Sequence, residues 1–383
     1  MSKTITIKIF NPAGEFIGVW ENAVFKSFTK KLNSGMGDCT IVLGKEFEWE
    51  DSTLRENNEV QIYVSDKDTT TLVNGERKIY SGYITDYVPI IDGGKENITV
   101  NVLGYHTKLS QDIYKNGKTV VIQKTAEDVG IIAKNIIDRY QAENANAKLY
   151  YTDYSVINTR TTATYEFIQN YYLDAINTTL GMSPADYFWY VDENNLFYFR
   201  DRPSTATHEF IFGKDFKSIK INHSMGKIYN ALLLSAPDVI AGDLLKLYTD
   251  ENSIDLYGRR IYKITDNNIT DVTTADLVGN NFIENNKNPV TSVEIEILDN
   301  NFDNSFGYDI ENISPGDTCL FRGFTAETSD LLGDNMLITS VNYTLDKVSV
   351  TIQPSKSGLI NLVVLNKKGL EEINNSKEPT YTT

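Results

Sequence analysis

The segment Thr4-Ile5-Thr6-Ile7-Lys8-Ile9 has strict two-residue alternation. A period of two places the three isoleucines on one face of a strand, whereas a helix would scatter them around its axis. Strand-like segments recur at 38–43, 59–65, 79–87 and 97–103. They return at 209–212, 217–221, 229–235, 260–264, 290–298, 317–321, 336–343 and 347–353. Asn11-Pro12-Ala13-Gly14 and Asp92-Gly93-Gly94-Lys95 supply turn chemistry between such segments. The chain is therefore expected to be mainly β.

The pattern changes in the middle. Thr125-Ala126-Glu127-Asp128 resembles a capping box, and Val129, Ile132, Ala133, Ile136, Ile137 and Tyr140 follow at helical spacing. A second helix is expected from about Tyr165 to Leu180, stopping at Gly181, and a hairpin turning at Asp192-Glu193-Asn194-Asn195 follows it. A third helix is expected with Thr273 as its cap and Asp276 three residues on, ended by Pro289. These readings divide the chain into a β-domain at 1–112, an α+β insertion at 113–208, a second β-domain at 209–355 and a polar extension at 356–383, partly disordered.

Composition excludes several functions. The 383 residues carry 52 acidic against 36 basic side chains, a formal charge of −16. Gripping nucleic acid needs a basic footprint that this balance lacks. No apolar run approaches the ~20 residues of a membrane helix, and the first residues lack the apolar core of a secretory signal. Cys39 and Cys319 sit in strand-like runs and read as small buried hydrophobes. His106, His208 and His223 have no neighbour at metal-ligand spacing and read as structural. Nucleophile-elbow, zincin and phosphate-loop motifs are absent. Asp299, Asn301 and Asp303 begin like a calcium loop, but Asn304 and Ile310 stand where that loop needs glycine and glutamate. No pair of carboxylates is marked out for glycoside hydrolysis. No cofactor, metal or catalytic residue is expected.

The two β-regions share an order of parts. Asn57-Asn58-Glu59 turns into 60–64, a loop follows, then 80–87, a hairpin and 98–102. Ser314-Pro315-Gly316-Asp317 likewise turns into 318–321, followed by a loop, 336–343, a turn and 348–352. Identity is low, and any two antiparallel domains share hairpins, so the alternative is simple likeness of architecture.

Tyr257-Gly258-Arg259-Arg260, the helix from Thr273 to Asn286, Pro289, the strand 290–298 and Ser314-Pro315-Gly316-Asp317 follow one another in an order that resembles the tail hub proteins of long-tailed phages and related injection machines. The helix at 165–180 with its following hairpin is similar to that family's inserted middle domain. The likeness extends over roughly residues 1–355. It implies two related β-barrel tube domains per chain, and a homotrimer whose six barrels continue a hexameric tail tube. Implied partners are a distal tail or tail tube protein ring, a tape measure protein, and tip spike or receptor-binding proteins. DNA would pass without specific binding, and the place would be the virion, at the distal end of the tail. Members with long C-terminal extensions carry cell-wall hydrolases; this sequence ends soon after the second β-region, which points to a hub without enzyme activity. A hub that also degrades cell wall and a carbohydrate-binding host-recognition protein are the alternatives.

Arg259 and Arg260 are adjacent arginines in an acidic chain. Alternation sends them to opposite faces of a strand starting there, where a guanidinium can pair bidentately with a carboxylate within the fold or across a subunit boundary. Phosphate binding is the alternative.

Overall fold

The computed structural model describes residues 4–21, 23–44, 51–65, 76–92, 95–224, 226, 228–237, 244–298, 308–324, 335–345 and 347–353. The calcium-like positions 299–303 and the extension 356–383 lie outside them.

The first region contains β1 (Thr4–Phe10), β2 (Phe16–Val19), β3 (Val24–Lys31), β4 (Met36–Leu43), β5 (Glu59–Ser65), β6 (Arg77–Asp92) and β7 (Lys95–Leu103). Their hydrogen-bonded order is β2-β1-β5-β6-β7-β4-β3. Alternation decides what each strand buries: Ile7 and Ile9 of β1, Val60, Ile62 and Val64 of β5, and Ile98, Val100 and Val102 of β7 all enter one core. Each such side chain contributes about 1.5–3 kcal/mol when fully buried.

A second core lies beside it, with helices. A 3-10 turn over Tyr105–Ser110 leads to β8 (Val121–Asp128), α1 (Val129–Glu143), β9 (Thr162–Ile168), α2 (Tyr172–Gly181), β10 (Tyr187–Val191) and β11 (Phe197–Asp201). Helix α1 buries the six apolar side chains expected from its spacing. Its cap differs from the expected box, because Asp128 accepts from the backbone N–H groups of Gly130 and Ile131. The helix expected from Tyr165 begins later. Residues 162–168 are β9, with Ala163, Tyr165 and Phe167 inward, and α2 starts at Tyr172. The hairpin at Asp192–Asn195 joins β10 to β11 as expected.

The remaining elements are β12 (His208–Ile211), β13 (Phe216–Ser224), β14 (Ala231–Ala236), β15 (Leu244–Thr249), α3 (Glu251–Tyr257), β16 (Ile261–Thr265), α4 (Val272–Asn286), β17 (Val290–Leu298), β18 (Thr318–Arg322), β19 (Met336–Tyr343) and β20 (Lys347–Gln353). Strands β14, β15 and β16 form their own sheet. With α4 they pack into the helical core, against residues 103–199, and not into the core of β1–β7. Asp271, not Thr273, caps α4, through the N–H of Thr274.

Strands β12, β13 and β17–β20 join the first region in one sheet, thirteen strands among the described residues. The junction is antiparallel pairing of β3 with β19, Lys31 opposite Ser340 and Phe28 opposite Tyr343. Neither half closes on itself by hydrogen bonds among the described residues, so the expected barrels are not seen as closed ladders. The physical reason lies in β19. Its first residues pair with β18, and its last four have that same edge open to β3.

Candidate functional site

The seam between β3 and β19 is built from two copies of one pattern. In sheet order the first copy runs β1-β5-β6-β7-β4-β3 and the second runs β12-β18-β19-β20-β17-β13. Chain order agrees element by element: β1 with β12, β3 with β13, β4 with β17, β5 with β18, β6 with β19 and β7 with β20. One difference stands out, since β12 is parallel to β18 whereas β1 is antiparallel to β5.

The agreement reaches single hydrogen bonds. The pairing of β6 with β7 slips by one residue between Ile84 and Asp86, and that of β19 with β20 slips between Ile338 and Ser340. The extra residue is a threonine each time. Thr85 donates its hydroxyl to Asn101 O at 3.2 Å, and Thr339 donates to Thr351 O at 3.1 Å. Those two acceptors hold corresponding places, opposite Asp86 and Ser340. The turn before β5 repeats before β18. Asn57 N–H donates to Ile84 O and Gly316 N–H to Ile338 O, both at 2.9 Å, while Ile84 N–H and Ile338 N–H return bonds to Asn58 O and Asp317 O. Asn57 and Gly316 both have positive φ, at 65° and 93°. That backbone favours Asn and Gly over other residues.

The seam itself is aromatic. Phe28 of β3 stacks on Tyr343 of β19 with centroids 4.9 Å apart and rings 18° from parallel, and Phe25 lies 6.1 Å from the same tyrosine. The Tyr343 hydroxyl donates to Glu311 at 2.6 Å. A second link between the copies is Arg77, which reaches Asp309 at 3.3 Å and Glu311 O at 3.0 Å. Burial raises the Asp309 carboxyl above its usual range, and its contact with Glu311 adds to the shift.

The β10–β11 hairpin covers one end of this seam. Asn33, in the β3–β4 turn, donates its N–H to Trp189 O at 2.8 Å and accepts from Trp189 N–H at 3.1 Å. Phe188 packs with Leu32 and Leu337. Its ring lies where a Cβ on Gly316 would fall, 2.5 Å away, so no larger residue fits there. Lys30, nearly buried, bonds Glu193 at 3.2 Å.

The residues singled out in the sequence are scattered. Arg259 is exposed just before β16 and makes no ion pair among the described residues. Arg260 is half-buried, and its backbone bonds Asn230 and Ala231. Strand β16 begins one residue later than the expected start. Cys39 and Cys319 are free and buried, as expected. His106 contacts Ser34 at 2.9 Å, and burial lowers its pKa to about 4, so it is neutral at pH 7. His208 stacks on Phe210 and contacts Asp317 at 3.0 Å and the Tyr308 hydroxyl. No group of three metal-ligating side chains occurs among the described residues, and none of their helices is long and apolar enough to cross a membrane.

No family model and no curated protein matches the chain by sequence. Solved structures match along nearly its whole length. The 43 kDa tail protein of prophage MuSo2 from Shewanella oneidensis aligns with a TM-score of 0.61 at 13% identity, covering 92% of this chain and 99% of that one. A tail protein from Neisseria meningitidis aligns at 0.60 and 8% identity, covering 92% and 97%. Prophage tail protein gp18 from Listeria monocytogenes aligns at 0.57 and 10% identity, covering 96% and 99%. The fold is thus that of phage tail proteins.

Proposed function

We propose that the chain is the structural hub of a phage or phage-like tail tip, a trimeric adaptor between the sixfold tail tube and a threefold tip, through which the genome passes. The observation that carries this is the double use of one strand order, with the same threonine bulge, in a single chain. A sixfold tube meets a threefold tip without exposed strand edges only through a part that presents six like surfaces on one side and three on the other. The tail proteins that share the fold support the same reading.

On this reading each copy is a tube domain. The first is residues 1–103 and the second is 208–224 with 290–353. The α+β body is built from 104–207 together with the stretch between β13 and β17, and it stands off the tube-facing surface. Partners are the tube or distal tail ring, a tape measure protein, and spike or receptor-binding proteins. Arg259, exposed, is assigned to an ion pair across a subunit boundary. The protein is not an enzyme in this role. Mass measurement in solution and imaging of the purified protein test the proposal, with a three-chain ring expected. A turbidity assay on host peptidoglycan tests the absence of lytic activity, and clear lysis would count against a purely structural hub.

A further inference from the structure

The two copies are equivalent, but only one of their two possible seams is formed within the chain. Strand β3 ends the first copy and pairs with the last four residues of β19. Its counterpart β13 ends the second copy and pairs only with β17 among the described strands. The counterpart of β19 is β6. Strand β5 covers β6 only from Arg77 to Tyr83, and no described strand pairs with that edge beyond. The chain therefore carries one half of a second β3–β19 seam at each of two distant places.

We infer that β13 of one copy of this chain pairs antiparallel with residues 86–89 of β6 in the next copy, in the register of β3 on β19. This rests on the trimeric hub reading and specifies its subunit contact. The bulge threonines set the register, since Thr85 matches Thr339 and so Asp86, Tyr87, Val88 and Pro89 match Ser340, Val341, Asn342 and Tyr343. On the other side, Ile221 lies opposite Val293 as Phe28 lies opposite Cys39, so Ile221, Asn222, His223 and Ser224 match Phe28, Thr29, Lys30 and Lys31. The intermolecular partners are then Asp86 with Ser224, Tyr87 with His223, Val88 with Asn222 and Pro89 with Ile221.

Exposure agrees with an interface that the isolated chain leaves open. Val341, Tyr343 and Phe28, inside the formed seam, are buried, whereas their counterparts Tyr87, Pro89 and Ile221 are half-buried, exposed and exposed; Ile90 and Ile91, next along β6, are exposed as well. A strand edge flanked by apolar side chains invites pairing. Pro89 has no N–H to donate and falls at the place of Tyr343, the last residue of the pairing in the formed seam. The intermolecular seam also lacks the Phe28–Tyr343 stack, since Ile221 and Pro89 stand at those places. It is the weaker of the two and closes on assembly.

Disulfide trapping tests the register. Opposed residues of an antiparallel pair sit about 4.5–5.5 Å apart at Cα, within disulfide reach. The double variant Val88→Cys/Asn222→Cys of the full chain, oxidised at the highest concentration it tolerates, should run as a covalent trimer without reductant. Asp86→Cys/Ser224→Cys should behave likewise, while Val88→Cys/Ser224→Cys, out of register, should not link. The mass of the unmodified protein, measured in parallel, separates the two ideas. A trimer that forms neither in-register link overturns this seam and leaves the hub standing. A protein that is not trimeric and does not link overturns both. Linking of the out-of-register pair as readily as the others overturns the register.

Discussion

Asp192 shows how one residue couples the hairpin over the seam to pH. Burial, with Glu193 beside it, raises its carboxyl to about 6, although it accepts backbone bonds from Asn194 and Leu196. From the ordinary value near 4 up to 6, the unfolded chain loses this proton before the folded chain does. The group's effect on stability therefore worsens as pH rises through that window and stays constant above it. Asp192→Asn, which keeps an acceptor for the turn, should be more stable than the parent at pH 7.5 by up to about 3 kcal/mol. The difference should shrink towards pH 4, as followed by denaturant melts; a difference independent of pH would rule the account out. Arg260 makes a second case. On the proposal that the Arg260 guanidinium pairs with a carboxylate, Arg260→Ala should lower the melting temperature more than Lys263→Ala, because loss of such a guanidinium strands its partner; equal melting and equal incorporation into tails would count against the pairing. The roles of Cys39 and Cys319 were legible from their place in strand-like runs. The contacts of Asp192 were not, because both its burial and Glu193's bond to Lys30 come from distant parts of the chain.

At the scale of elements, strands with a two-residue period were readable even where they carry one bulge, as β6 and β19 do, but β3 was not. Strand β5 alternates cleanly and lies where its pattern puts it. Strand β3 slips register between Phe25 and Ser27 and again between Phe28 and Lys30. Its two inward phenylalanines therefore stand three apart, a spacing that no strand rule finds, and this is the strand that makes the seam. Strand β15 is hidden for another reason. Its leucines at 245 and 247 face outward, while Lys246 stands between Leu244 and Tyr248 on the side that meets the core, so hydrophobicity does not tell the two faces apart. Tyr165, Ile168, Tyr172 and Ile176 mimic one helical stripe although a strand, a turn and a helix share them. The seam strand yields a direct test. Phe28→Ala removes the ring that stacks on Tyr343 and should cost about 3–5 kcal/mol. Thr339→Val, which loses only the bulge hydroxyl bond, should cost about 1 kcal/mol. Chemical denaturation of both variants checks the ranking, and a smaller loss for Phe28→Ala would show that the halves do not depend on this contact.

For the whole molecule, the order of elements was legible over most of the chain, but the sharing of one sheet between its halves was not, because pairing across roughly three hundred residues leaves no local pattern. Two expectations belong to this scale. A ring of three chains carries a formal charge of −48, three times −16. Its inner wall is expected to be acidic, which keeps DNA from adhering during passage; a trimer structure with a lumen lined mainly by Lys and Arg would refute this. The two copies are also expected to be related by a rotation near 60° about the ring axis, and a trimer reconstruction reads that angle directly. The β3–β19 seam has one more consequence, for how such a ring comes together. Each association between free bodies forfeits some 4–15 kcal/mol of translational and rotational freedom. Six separate domains would meet that loss five times before closing. Three chains, each with one seam already made when it folds, meet it twice, so the ring can hold together through edges too short and too plain to bind on their own.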